Sequence, residues 1–310
     1  MRIFAAASFA ASPTAHTTLY LIDMRLIKMT GGLGNQMFIY AMHMAMRKRF
    51  PDTRVDLSDM MHYNVHNGYE LHRIFHLPAD EVCLPQWLKK VVEFLFFKTI
   101  LERKQNLDTL EAYRRPYRWP LVYFKGFYQD EKYFADCADD VRRAFSFDAD
   151  LLNDRSRDML AAIDRDQRAV SLHVRRGDYL HDHHWRVSGC VCQLGYYQRA
   201  VARMLSLCPD AHFYVFSDDI DWIKAHLRLP ADTVYVDWNR KQDSWQDMML
   251  MSRCRHNVIC NSSFSWWGAW LNSHAQKIVV CPARWQAGKN ANHHIIVDTW
   301  EKVETDDAAE

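Results

Sequence analysis

Four short stretches of this chain hold side chains suited to chemistry. "HVRRGDY" (173–179) places His173, Arg175, Arg176 and Asp178 around Gly177, at the end of an apolar run. A guanidinium is planar, permanently charged and matched to phosphate oxygens, so these arginines suit an anionic ligand. The plainer alternative is that each pairs with a neighbouring carboxylate. "NSSFSWWGAW" (261–270) sets Asn261, Ser262, Ser263 and Phe264 at the start of a helix-like segment. Hydroxyls and free N–H groups there can hold a phosphate or simply cap the helix. "TGGLGNQ" (30–36) brings Gly32 and Gly34 beside Asn35 and Gln36, where the lack of a Cβ admits a close visitor, a phosphate being the first expectation. "SDD" (217–219) offers Asp218 and Asp219 as helix caps; Asp219 with Asp221 also imitates a metal-binding Asp-x-Asp.

The elements needed to position these stretches are legible as alternating strands and helices. "RLIKM" reads as a buried strand, Gln36 to Phe50 as a helix stopped by Pro51, and "TRVDLS" as the next strand. In the second half "AVSLHV", "HFYVFS", "TVYVD", "NVIC" and "KIVVC" are strands, with helices at 195–208, 218–227, 243–254 and 261–272. Such alternation implies doubly wound parallel sheets, in which ligands bind beyond the carboxyl ends of the strands. All four chemical stretches fall there. Residues 83–133 read as helical and aromatic, and "WLKKVVEFLFFKTILERK" (87–104) as a basic amphipathic helix suited to packing or to an anionic membrane surface.

Composition narrows the classes. A chain of 310 residues, 49% hydrophobic and 25% charged, supports one large or two ordinary domains, and a net charge of +1 argues against nucleic-acid binding as its main task. The eight cysteines, at 83, 137, 190, 192, 208, 254, 260 and 281, make no regular disulfide framework, so a reduced cytoplasmic protein is expected. "HDHHWRVSGCVC" (181–192) matches no regular zinc spacing and reads as a loop. Residues 1–23 resemble a signal peptide only faintly, and Met24 is the expected initiator. No later run reaches the ~18 apolar residues of a membrane span.

Taken in order, "GGLGNQMFIYA", "FKGFYQDEKYF", "SLHVRRGDY", "GCVCQLGYYQRAV", "FSDDIDW" and "NSSFSWWGAWLN" resemble the motifs of glycosyltransferase family 11, the α-1,2-fucosyltransferases, from about Met24 to Trp285. The resemblance implies a GT-B-type α/β fold, with two Rossmann-like domains facing a central cleft. It implies transfer of L-fucose from GDP-fucose to O2 of a terminal galactose, with inversion, no cofactor and no required metal. The strand ending in His-x-Arg is shared with α-1,6- and protein O-fucosyltransferases. By that similarity Arg175 holds the β-phosphate, His173 lies by the nucleoside and Asp247 pairs with guanine. Ser262 and Ser263 cradle phosphate, Asn35 reaches donor or acceptor, and the glycine turn closes over the donor diphosphate. Arg176, Asp218, Asp219, Asn261, Phe264, Gly32, Gly34 and Gln36 complete the expected binding set.

The expected layout is a leader over 1–23, an acceptor-side domain over 24–150, a GDP-fucose-binding domain over 151–300 and a loose tail over 301–310. Partners are a galactose-terminated oligosaccharide or lipid-linked glycan and no nucleic acid; the location is cytoplasmic, with peripheral attachment at the inner membrane face left open. Asp178 is the nearest carboxylate to the arginines and a candidate general base. It can equally orient an arginine, or the departing phosphate can take the proton. Other readings are a metal-dependent transferase of another fold using Asp219 and Asp221, and a non-enzymatic carbohydrate-binding protein.

Overall fold

A computed structural model describes residues 24–60, 67–78, 81–85, 87, 90, 97–101, 121–177, 188, 190–287 and 293–306. The leader (1–23), Asp178, most of the His/Cys loop and much of 61–120 in the expected acceptor-side domain therefore lie outside the described residues.

Strand β1 (Met24–Lys28) leads through the glycine turn into α1 (Leu33–Arg49), and β2 (Thr53–Asp56) follows. A short helix α2 (Leu71–Ile74) precedes β3 (Glu81–Val82), β4 (Phe97–Leu101) and β5 (Leu121–Lys125). These strands form one parallel sheet in the order β3-β2-β1-β5-β4. Helices α3 (Ala138–Ala144) and α4 (Asp154–Arg165) then lead to the second half. There β6 (Ala169–Val174), α5 (Leu194–Leu207), β7 (His212–Ser217), α6 (Ile220–His226) and β8 (Val234–Val236) alternate. They are followed by α7 (Trp245–Arg253), β9 (His256–Val258), α8 (Ser263–Leu271), β10 (Val279–Pro282) and β11 (Glu301–Val303). The second sheet is also parallel, in the order β11-β10-β9-β6-β7-β8. The architecture is α/β with two Rossmann-like sheets, as expected. The first sheet draws its strands from 24–125 and the second from 169–303.

Two expectations are corrected. The segment read as helical contains β4 and β5, because short apolar runs such as "FKTI" and "LVYFK" carry β-branched and aromatic residues that suit a pleated sheet. With 97–101 in a strand, no single amphipathic helix runs unbroken over 87–104. The tail is not loose as far as Asp306. Residues 301–303 are β11, and the Asp306 carboxylate accepts from the N–H groups of Gln193 and Tyr196 at 2.9 Å, capping the start of α5. Elsewhere, no helix among the described residues is long and apolar enough to cross a membrane. All eight cysteines are free thiols.

The core explains how the halves meet. Helix α1 is buried on almost every side, from Leu33 to Met46, and lies between the first sheet and α8. Its Phe38 ring lies 4.5 Å from Trp266 and 4.9 Å from Trp267, and Phe134 stacks on Trp267 at 5.7 Å. The tryptophan run after Ser263 is therefore core.

Candidate active site

Each sheet has a point where successive strands begin to be added on the opposite side. In the second sheet it falls between β6 and β9; in the first, between β1 and β5. Such points leave a crevice beyond the strand carboxyl ends. The crevice between β6 and β9 is walled by His173, Arg175 and Asn261 to Phe264; that between β1 and β5 is walled by the glycine turn and "GFYQ" (126–129).

At the end of β6, His173 is 6% exposed and its Nδ1 lies 3.4 Å from Cys260 Sγ. Burial, reinforced by the Arg175 charge, pushes its pKa down to about 3, so the ring is neutral at any working pH. Its ring is tilted against Phe264, ring centres 5.7 Å apart. Arg175 is one-third exposed and ion-paired with Asp218 at 3.2 Å. The same carboxylate accepts from the N–H groups of Arg176 and Gly177, both at 3.0 Å. A Cβ on Gly177 would stand 2.6 Å from Asp218 Oδ2, so only glycine lets the turn wrap this carboxylate. Arg176 is committed elsewhere: its Nε donates to Asp219 at 3.1 Å, and its guanidinium lies 3.7 Å from the Trp222 ring centre. Asp219 also caps α6 through Trp222 N–H. Asp218 and Asp219 thus hold the two arginines at the carboxyl end of β6.

The glycine turn answers its own question differently from the expectation. Gly31, at φ +83°, makes the left-handed bend; a Cβ there would meet Asn35 Nδ2 at 2.7 Å. Gly32 caps α1 with an ordinary φ of −77°. The close visitor at Gly34 is the backbone of the other half: a Cβ would meet Ser263 C at 2.6 Å and Phe264 N at 2.8 Å. Trp267 Nε1 donates to Gly34 O at 2.9 Å. Gly34 touches the first turn of α8 and Phe38 the second, so α1 and α8 run parallel with their N-termini together. Neither first turn has an acidic residue, and neither cap residue, Gly32 or Ser262, makes a side-chain capping bond. Two positive helix poles, without an acidic residue in either first turn, therefore share one place near the carboxyl end of β6. An anion there would be stabilised by both dipoles and a guanidinium.

Other expected residues have structural tasks. Gln36 is fully buried; its amide donates to Gly31 O (2.9 Å) and Gly68 O (2.8 Å) and accepts from Glu70 N–H (2.9 Å). It shapes the turn and has no donor left for a ligand. Asn261 donates to Ser188 O at 2.9 Å and Trp285 O at 3.1 Å, pinning the loops around the crevice. Asn35 Oδ1 accepts from Gln129 Nε2 at 2.7 Å, joining the turns after β1 and β5. Asp247 stands apart from the arginine cluster, on α7. It accepts from Asn239 at 2.8 Å, and Asn239 Oδ1 in turn accepts from Asn153 and Ser156. Burial pushes its carboxyl up to about 8 despite that bond and the Arg240 charge.

Sequence reasoning missed Gln129, Asn239 and Cys260. Nothing in their local pattern marks them: an amide or a thiol acquires its task from a partner distant in sequence. Gln129 lay inside the quoted "FKGFYQDEKYF" and Cys260 inside "NVIC", neither with a task assigned.

Two parallel Rossmann-like sheets make up a GT-B-type α/β fold. The chain matches the model of glycosyl transferase family 11 over residues 2–304, and it belongs to that family. It is a glycosyltransferase. The match takes in residues 2–23, which the motifs had left out. An alpha-1,2-colitosyltransferase of Escherichia coli is 31% identical over 277 residues, covering 83% of this chain and 91% of the relative. The O-antigen biosynthesis glycosyltransferase WbnK of Escherichia coli is 29% identical over 298 residues (88% and 98%). Human galactoside alpha-(1,2)-fucosyltransferase 1 is 25% identical over 210 residues (64% and 57%). In fold, the chain is similar to NodZ alpha-1,6-fucosyltransferase co-crystallised with GDP, with a TM-score of 0.50 at 12% identity over 79% of this chain and 91% of that one.

Proposed function

We propose that the protein transfers L-fucose from GDP-fucose to O2 of a terminal galactose, with inversion at the anomeric carbon. The observation that carries the donor reading is the doubled, uncapped helix pole of α1 and α8 beside Arg175. A sugar bound to a nucleoside diphosphate leaves as its anomeric bond to phosphate breaks, and negative charge grows on the β-phosphate. A fixed guanidinium and two helix N-termini stabilise that charge at the moment it develops. The α-1,2 linkage rests on relatives named for it.

In this reading Arg175 binds the β-phosphate, Asp218 holds Arg175 in place, and the Ser262 and Ser263 hydroxyls contact phosphate. Asp247 and the neutral His173 receive the guanosine. Asn35 faces the transferred sugar from the opposite turn. The acceptor hydroxyl attacks the anomeric carbon on the face opposite the diphosphate, and its proton passes to Asp178 or to the departing phosphate. No bound metal is required, since the positive groups at the site are the protein's own. Asp219, the first aspartate of the Asp-x-Asp, is already spent on capping α6 and pairing with Arg176.

One relative favours a second donor. The colitosyltransferase shares 31% identity over most of both chains, against 25% for the human fucosyltransferase. Colitose lacks a hydroxyl that fucose carries, so a site built to bond that hydroxyl discriminates strongly between them. The test is incubation of the purified protein with GDP-fucose or GDP-colitose and a panel of galactosides, in excess EDTA, with product linkage read by NMR. An α-1,2-fucosyl galactoside at full rate in EDTA is expected. Transfer of colitose alone overturns the donor, and activity lost in EDTA but restored by manganese overturns metal independence.

A further inference from the structure

Asn239 lies three residues beyond the carboxyl end of β8, buried, with an amide that cannot turn over. Two chains of hydrogen bonds fix it. In the first, Asn153 caps α4 by accepting from Ser156 N–H at 2.9 Å, so its Nδ2 is the end left to donate to Asn239 Oδ1, at 2.9 Å. In the second, the indole Nε1 of Trp238 can only donate, and it donates to Ser156 Oγ at 3.0 Å. The Ser156 hydroxyl proton is then available to Asn239 Oδ1, at 3.0 Å. With both lone pairs of that oxygen occupied, the amide nitrogen must point the other way. It donates to Asp247 Oδ1 at 2.8 Å.

A network that served only to join α4 to this turn would have no need of a carboxylate. Asp247 is half-buried in the first turn of α7, where desolvation works against its charge, and the amide bond does not offset that cost. Its second oxygen, Oδ2, has no hydrogen-bond partner among the described residues, yet it is not closed off from solvent. Two groups favour the ionised form, the Asn239 N–H and the Arg240 charge. An oriented carboxylate with one oxygen unclaimed suits a ligand that brings N–H donors. The place suits a nucleotide. The strands of the second sheet all run the same way, so the segments after β6 and β8 lie along one edge. β8 is two strands from β6, about 10 Å across the sheet. That is a separation like the one between base and β-phosphate in an extended nucleoside diphosphate.

We propose that Asn239 is a positioning residue for the nucleotide base: it fixes the Asp247 carboxylate so that the free oxygen meets the base's N–H donors, which sets a preference for guanine over adenine. Guanine offers donors at N1 and N2, whereas adenine presents an acceptor at N1, which an ionised carboxylate repels. The proposal rests on the reading that Asp247 receives guanosine and adds the residue that makes the carboxylate selective.

Calorimetric affinities for GDP and ADP at pH 8 test it in the wild type, Asn239→Ala, Asp247→Asn and the double variant. Asn239→Ala should weaken GDP about ten-fold and leave ADP unchanged, since the phosphates are held elsewhere. In the Asp247→Asn background the same substitution should cost GDP nothing further, because its effect passes through the carboxylate. Asn239→Leu, close to the amide in shape, takes its place should Asn239→Ala not fold, with the same outcomes. Undiminished GDP affinity in Asn239→Ala, beside an Asp247→Asn variant that loses the preference, overturns the proposal and leaves the guanosine reading standing. An equal fall for both nucleotides, or a loss that persists in the double variant, also overturns it, since either marks a merely structural amide. A wild type that does not prefer GDP to ADP, or an Asp247→Asn variant that keeps the full preference, sinks the guanosine reading and this proposal together.

Discussion

Arg175 and Arg176 are adjacent in sequence and alike in type, yet they differ in what holds them. Arg176 is gripped by Asp219 and by the face of Trp222, whereas Arg175 is ion-paired with Asp218. Arg175→Ala should lower turnover on the order of 10²-fold or more, and Arg175→Lys should not rescue it, because a point charge cannot form two parallel bonds to phosphate oxygens. Arg176→Ala should act first on thermal stability. If their effects on kcat are reversed, the assignment is wrong. Asp247 gives a pH signature. Its folded pKa of about 8 lies above an unfolded value of about 3.9, so between those values the fold holds a proton that the unfolded chain lacks. Stability from this group therefore falls as pH rises through that window, and Asp247→Asn should remove the slope in pH-dependent denaturation. If guanine donors meet the carboxylate, binding expels the proton, and guanosine affinity should rise from pH 6 to 8 in the wild type and stay flat in Asp247→Asn. A flat wild-type profile would refute the guanine contact. The residue types at the site were legible in the sequence. Their division of labour was not, since Asp218 and Asp219 reach the arginines across more than 40 positions.

The parallel pair of α1 and α8 is the element on which the site depends. Side-by-side dipoles repel, and the arrangement persists because Phe38, Trp266 and Trp267 interlock and Trp267 donates to Gly34 O. Gly34→Ala would put a methyl group 2.6 Å from the Ser263 backbone, which no rotamer change relieves. The helices would have to part, at a cost of about 1–3 kcal/mol or more, with GDP affinity falling in step. Gly32→Ala, at an ordinary φ, should be far milder; equal damage at both positions in thermal melts would contradict the close contact. Both helix starts were legible, because glycine and serine runs before aromatic stretches announce them. That they form one site was not, since neither stretch encodes its distance from the other. Strands β4 and β5 were missed for a local reason: five-residue apolar runs fit a buried helix as well as a strand.

Across the whole molecule, the two sheets are separate in hydrogen bonding but continuous in packing. One apolar cluster runs from Ile27, Val55 and Phe124 of the first sheet through Phe38, Trp266 and Trp267 to Val279 and Cys281 of the second. A second cluster, including Val170, Phe213, Tyr196 and Val201, covers the second sheet's other face. Alternating strands and helices in the sequence announced two sheets; they gave no sign that the halves share a core, because the shared tryptophans read equally well as core of one half. Halves joined this way should not melt independently. Thermal unfolding followed by tryptophan fluorescence, to which Trp266 and Trp267 of the α1–α8 seam contribute, should coincide with unfolding followed by far-ultraviolet circular dichroism, which reports both sheets. Phe38→Ala removes a wholly buried ring from the seam and should cost about 3–5 kcal/mol, lowering both midpoints together. Fluorescence that changes well before the dichroism would mean that the seam opens as a hinge while the sheets persist. In that case the doubled helix pole would be a closed state that donor binding has to select.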